Sequence, residues 1–110
     1  MTLDEYQKKA LTTASTTGDD FKDLLHWALG INGESGEIAE KLKKIIRDKQ
    51  GEISEADKAE LAKETGDVLW YLAVFADHLG LPFNKIAQDN LDKLQSRKAR
   101  GVIGGSGDNR

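Results

Sequence analysis

The chain contains no cysteine. That removes disulfides, thiolate zinc sites and cysteine nucleophiles. Proline occurs once, as Pro82, and aromatic residues make up only 6% of the chain. No stretch approaches the ~20 apolar residues of a membrane span. The N-terminal residues MTLDEYQKK carry no apolar run and do not read as a signal peptide. Neither charge sign dominates: 19 acidic residues against 16 basic ones leave a formal charge of −3. A broad affinity for nucleic acid is therefore not expected. The expectation is a soluble cytoplasmic protein with no membrane or nucleic-acid partner.

What is present fits one domain spanning residues 1–110. A chain of this size hides roughly 60–70% of its unfolded surface. With 38% hydrophobic and 32% charged residues it is polar for its length, which hints that a second subunit completes the core. Strand-like alternation is missing and helical periodicity dominates. Thr2-Leu3-Asp4-Glu5 reads as a capping box opening a first helix, with Tyr6, Ala10 and Leu11 facing inward. Ser15 to Asp20 is a polar loop. A second helical region runs from about Phe21 to Asp48, and Gly30, Asn32 and Gly33 within it predict a break or kink. Lys49-Gln50-Gly51 is a turn. Ser54 or Asp57 caps a third helix that stops at Gly80. A fourth helix runs from about Phe83 to Arg100. The last ten residues, GVIGGSGDNR, include four glycines and cannot hold a helix; they read as a flexible or lid-like tail. The fold class is all-α, a small bundle of about four helices.

Acidic pairs three residues apart recur along the chain, and most such pairs simply face solvent. Two of them stand in a special relation to the turn. Glu34 and Asp67 lie equally far from the Gln50–Gly51 midpoint, and so do Glu37 and Glu64. An antiparallel hairpin of the second and third helices would bring these four level. At about 100° per residue, they also border the apolar stripes of their helices. These stripes are Ile31, Ile38, Leu42 and Ile45 on the second helix, and Leu61, Val68, Leu72, Phe75 and Leu79 on the third. Crowded carboxylates repel and take up protons unless a cation joins them. All-oxygen donors without nearby histidine favour Mg²⁺ or Mn²⁺ over zinc. A di-iron bundle would need Glu-x-x-His, and neither His26 nor His78 has a glutamate three residues earlier. The competing reading pairs the acids with lysines, as in Glu37/Lys41 and Glu40/Lys44. From spacing alone both readings stay open. Gly33, Gly36 and Gly66 lie beside these acids within helical patterns, where each costs up to ~1 kcal/mol relative to alanine. Close helix approach or room for a ligand would account for them.

The segment Ala28 to Lys41, ALGINGESGEIAEK, resembles the first acidic motif of the MazG-like nucleoside triphosphate pyrophosphohydrolases. Glu64 to Leu72, ETGDVLWYL, resembles the second, with 26 residues between Glu37 and Glu64. The tail Arg100 to Arg110 is similar to a C-terminal signature of small, single-domain members of phage or bacterial type. The resemblance implies an all-α homodimer or homotetramer. It implies Mg²⁺-dependent hydrolysis of a nucleoside triphosphate between the α- and β-phosphates, giving the monophosphate and pyrophosphate, in nucleotide-pool house-cleaning or regulation. Carried over by motif, Glu34, Glu37, Glu64 and Asp67 would hold the Mg²⁺, with Mn²⁺ as a substitute. Glu37 or Glu64 would orient the attacking water or take its proton. Some members begin the first motif with two adjacent acids; here Gly33 precedes Glu34, which bears on the number of metal ions.

Asn90, Lys93 and Arg97 share one face of the fourth helix. By composition this is a solvated basic face near a helix C-terminus; the resemblance implies phosphate contact. Tyr71, one turn after Asp67, reaches the same ligand or packs at the edge of the seam. Trp27, close to the expected kink, is the candidate for stacking on a base, with His26 beside it and Trp70 assigned to the core. The alternative to an enzyme is a non-catalytic helical module that binds a nucleotide or a protein through the same surface.

Overall fold

The computed structural model describes all residues, 1–110, as four α-helices without strands. Helix α1 spans Leu3–Ala10 and passes through a short 3₁₀ turn at Leu11–Thr13. Helices α2 (Asp20–Lys49) and α3 (Glu55–His78) form a long antiparallel hairpin, and α4 (Phe83–Ala99) follows a brief connector.

Local chemistry explains where these helices begin and end. The Thr2 hydroxyl accepts the Glu5 N–H at 3.1 Å. Asp19 caps α2 by accepting from the Lys22 N–H at 3.0 Å, so that helix starts within the segment expected to be loop. At α3 the Ser54 hydroxyl accepts the Asp57 N–H while the Asp57 carboxylate accepts the Ser54 N–H, which closes a full capping box. Gly80 ends α3 with φ of +71°, the left-handed conformation that glycine enters without steric cost, and its N–H donates to the Asp77 carbonyl.

The expected kink is absent: α2 is one helix of 30 residues through Gly30, Asn32 and Gly33. Gly30 has a different role. The ring of Tyr71 on α3 lies directly against it, where a Cβ would overlap Cδ1, Cε1 and Cζ. Glycine here permits close approach of the helices.

The core of the single chain is small. Only 10 of 110 residues are buried, and the apolar cluster consists of Ala10, Trp27, Ala73, Val74, Ala76 and Phe83. Gln7 fastens α1 into it. Its side-chain amide donates to the carbonyls of Ala73 and Leu81, and its Oε1 accepts the Phe83 N–H, all at 3.0–3.1 Å. Asp4 and Asn84 tie α1 to α4 through reciprocal bonds from each backbone N–H to the other side chain.

Burial on α3 departs from the stripe expected for it. Ala73, Val74 and Ala76 face the core, whereas Leu72 and Leu79 of that stripe are exposed. Phe21, Leu25 and Leu29 form an exposed apolar row on α2. Residues 68–76 of α3, VLWYLAVFA, are apolar all round, so packing against α1 and α2 covers only one side of that stretch. The radius of gyration is 17.0 Å, against about 13 Å for a compact domain of roughly 100 residues. No helix is long and apolar enough to cross a membrane.

Candidate active site

Helices α2 and α3 bring Glu34, Glu64 and Asp67 together midway along the hairpin, with carboxylate oxygens within 4.8 Å of one another. Glu34 and Glu64 are half-buried and Asp67 is exposed. Glu37, the fourth acid of the set, is exposed one turn further along α2 and stands outside this cluster.

The cluster bears the electrostatic mark of crowding. Burial pushes the Glu34 carboxyl above its ordinary value, and the charges of Asp67, Glu64 and then Glu37 push it further. A site that raises a carboxyl in this way gains by accepting a cation. The donor set is all oxygen, with both histidines outside the cluster, and suits a hard divalent ion such as Mg²⁺ or Mn²⁺. The geometry therefore fits a metal site held by Glu34, Glu64 and Asp67.

Two neighbours were not evident from the sequence. Lys41 does not pair with Glu37 along its own helix. It crosses the hairpin, with its ammonium 3.6 Å from Glu64 and 3.9 Å from Glu60. The Glu40–Lys44 pair does form, at 3.9 Å. Tyr6 of α1 also approaches; burial first, and the Asp67 charge second, hold its hydroxyl above the usual tyrosine range. The only signal for Lys41 was its place in the first motif, and spacing had assigned it a nearer partner.

Gly33, Gly36 and Gly66 flank the cluster, and a Cβ at any of them would meet nothing within 4 Å. Close helix approach does not explain these glycines within one chain. The space over them is open.

The ligand-binding candidates divide. Tyr71 is half-buried against Gly30, one turn from Asp67. Trp27 corrects the expectation of a base-stacking shelf: it is 2% exposed and enclosed by His26, Trp70 and Tyr71 at centroid distances of 4.8, 5.8 and 6.4 Å. With α2 unbroken, no kink opens its ring to solvent. Trp70 packs against the core and donates its indole N–H to the Thr13 hydroxyl at 2.9 Å. Asn90, Lys93 and Arg97 lie on α4, which packs on α1 and only sparsely on α3. Lys93 and Arg97 bond to Asp108 of the C-terminal segment and not to the acidic cluster.

A family model for the MazG nucleotide pyrophosphohydrolase domain matches residues 23–102, which takes in the hairpin, the acidic cluster and α4. The chain belongs to the MazG family. It is also similar to the Gene 37 protein of Mycobacterium phage L5, 48% identical over 114 residues that cover the whole of both chains. No solved structure matches it significantly. MazG membership makes this a nucleotide pyrophosphohydrolase domain, of a kind that acts on nucleoside triphosphates and generally depends on a divalent metal. The matched segment contains each of Glu34, Glu37, Glu64 and Asp67.

Proposed function

We propose that this protein hydrolyses a nucleoside triphosphate between its α- and β-phosphates, releasing the monophosphate and pyrophosphate, with Mg²⁺ as the ion and Mn²⁺ as a substitute. The observation that carries this reading is the convergence of three carboxylates from two helices inside the MazG-matched segment. Glu34, Glu64 and Asp67 hold the ion, and Glu37, whose charge acts on Glu34 from one turn along α2, completes the acidic set. When bound, such an ion screens phosphate charge and acidifies water.

The remaining work falls to side chains. Water attacks phosphorus at the α–β bridge, the bridging P–O bond breaks, and pyrophosphate leaves. Glu37 is exposed and free of the cluster, which suits it to take the proton of that water on a carboxylate oxygen. Glu64 is fixed by the cluster and by Lys41, which suits it to orient the water. Lys93 supplies a point charge, Arg97 a planar fork and Asn90 an amide to the phosphate oxygens. Tyr71 borders the nucleoside.

Within one chain α4 stands apart from the acids, so the reading includes a homodimer or homotetramer in which a second copy brings α4 over the cluster. The exposed row Phe21, Leu25 and Leu29, together with Leu72 and Leu79, supports such an assembly, as does the large radius of gyration. The reading also includes a cytoplasmic protein that works on the nucleotide pool.

The test is pyrophosphate release from a panel of canonical and modified ribo- and deoxyribonucleoside triphosphates, with and without Mg²⁺, beside Glu37→Ala and Asp67→Ala proteins. Mg²⁺-dependent release that both variants lose while keeping a helical spectrum is the expected result. Absence of release from every nucleotide by folded protein would favour a binding module instead.

A further inference from the structure

Residues 101–110 fold into a small closed loop on the end of α4. Arg110 lies at its centre and donates to the carbonyls of Val102, Ile103, Gly104 and Gly107. Arg100 donates to the Arg110 carbonyl at 2.8 Å. The loop leaves α4 at Gly101, with φ of +71°, and the Val102 N–H donates to the Arg97 carbonyl at 2.8 Å. The Arg110 bonds tie the loop to itself, so it holds together as one piece, while the Arg100 and Val102 bonds fasten that piece to the end of α4.

The loop's carboxylate contact with α4 is electrostatic and long, beside a short bond from the Arg97 guanidinium to the Asp108 backbone carbonyl. Asp108 is the loop's one acidic residue. Its Oδ1 lies 3.3 Å from the Lys93 ammonium and 3.4 Å from an Arg97 guanidinium nitrogen. Tight charge-assisted bonds are about 2.7–2.9 Å. The Asp108 side chain is 84% exposed, while that of Arg97 is 5% exposed. Lys93 first, and then Arg97, hold the Asp108 carboxyl below its ordinary range, so it is charged at neutral pH. The closed loop also leaves Arg97 incompletely satisfied. One guanidinium nitrogen reaches the Asp108 carbonyl and carboxylate, but the buried Nε has no partner. A guanidinium fork offers five N–H donors, and a ligand with several anionic oxygens would use more of them than Asp108 does.

We propose that residues 101–110 form a hinged cover in which the Asp108 carboxylate occupies the phosphate place on Lys93 and Arg97, so that an anionic ligand must displace the loop to bind. This rests on the reading that Lys93 and Arg97 meet the triphosphate. The cover lowers apparent phosphate affinity by the fraction of time it is open.

The test uses the full chain and inorganic tripolyphosphate in metal-free buffer, with binding measured by calorimetry and loop opening by amide hydrogen exchange over residues 102–109. Asp108→Ala should bind tripolyphosphate about threefold to tenfold tighter than wild type. Tripolyphosphate should speed exchange in the wild-type loop. Arg110→Ala, which loosens the loop without touching Asp108, should also tighten binding. Lys93→Gln serves as the control for the underlying reading. If Lys93→Gln weakens binding but Asp108→Ala leaves it unchanged or weaker, the cover is refuted and the phosphate reading stands. Slower loop exchange on adding tripolyphosphate overturns the cover too, because the loop would then close over the anion. No binding by wild type, or binding indifferent to Lys93, removes both.

Discussion

Replacing Gly30 by alanine sets two opposed effects against each other on one residue. In an exposed helix the change adds up to ~1 kcal/mol of stability through backbone propensity. Here the new Cβ would stand closer than 3.0 Å to three carbons of the Tyr71 ring. Tyr71 cannot move freely, because it packs against the core and crosses edge-on to Trp70 at 4.9 Å. Overpacking costs about 1–3 kcal/mol, and three overlaps this severe put Gly30→Ala in the upper part of that range, about 2–3 kcal/mol. The expected net effect is a loss of about 1–2 kcal/mol, or roughly 4–8 °C in Tm at about 4 °C per kcal/mol. Thermal melts at one fixed protein concentration measure it, because association alters Tm. The decisive control is the same change in a Tyr71→Ala background. With the ring gone, alanine at position 30 should stabilise by up to ~1 kcal/mol, giving a coupling of about 2–3 kcal/mol between the two sites. Equal effects in both backgrounds, or a Gly30→Ala protein as stable as wild type, would refute the argument that close approach to Tyr71 requires the glycine.

Other consequences are as specific. Gln7→Leu strands the carbonyls of Ala73 and Leu81 and the N–H of Phe83; urea unfolding should show a loss of about 2–4 kcal/mol, and a loss under ~1 kcal/mol would count against the three-way tie. Wild type should gain roughly 2.7 kcal/mol of stability when Mg²⁺ reaches a hundredfold excess over its Kd. Asp67→Asn should abolish that gain without lowering stability in metal-free buffer, and an equal Mg²⁺ response in both proteins would exclude Asp67 as a ligand. Asp57 is held down to about 2 from 3.8, chiefly by the Lys49 ammonium and then by the Ser54 bonds. A depressed carboxyl stabilises above its unfolded value and loses that contribution as pH falls through its folded value. Tm should therefore drop between pH 3.8 and about 2 in wild type, and Asp57→Asn should be less stable at neutral pH with a flatter profile across that window.

Features set by near neighbours were legible in the sequence. Thr2, Ser54 and Gly80 mark helix ends because capping involves residues three or four apart. The meeting of Glu34 with Asp67 and Glu64 followed from the turn, since an antiparallel hairpin pairs positions equidistant from its bend, although Glu37 of the same expected set stands outside. Features that depend on what lies across a helix were not. Gly30 read as a break because the Tyr71 ring that occupies its place is 41 positions away in the chain. Trp27 read as a shelf because its enclosure comes from Trp70 and Tyr71 on α3. Lys41 was paired by i,i+4 habit, yet Glu60 and Glu64 on α3 lie within its reach. Gln7 carried no periodic signal, because its role is to satisfy backbone groups at the junction of three helices.

Both tryptophans of the chain sit in one aromatic knot, with Trp27 crossing Trp70 edge-on at 5.8 Å. Trp70 is bonded to Thr13, in the turn that follows α1. No tryptophan or tyrosine lies beyond Tyr71. Indole emission from this protein is therefore a gauge of one joint, the seating of α1 and its turn on the hairpin. It will dim or shift when that joint opens, while the terminal loop can move without changing the colour of the light.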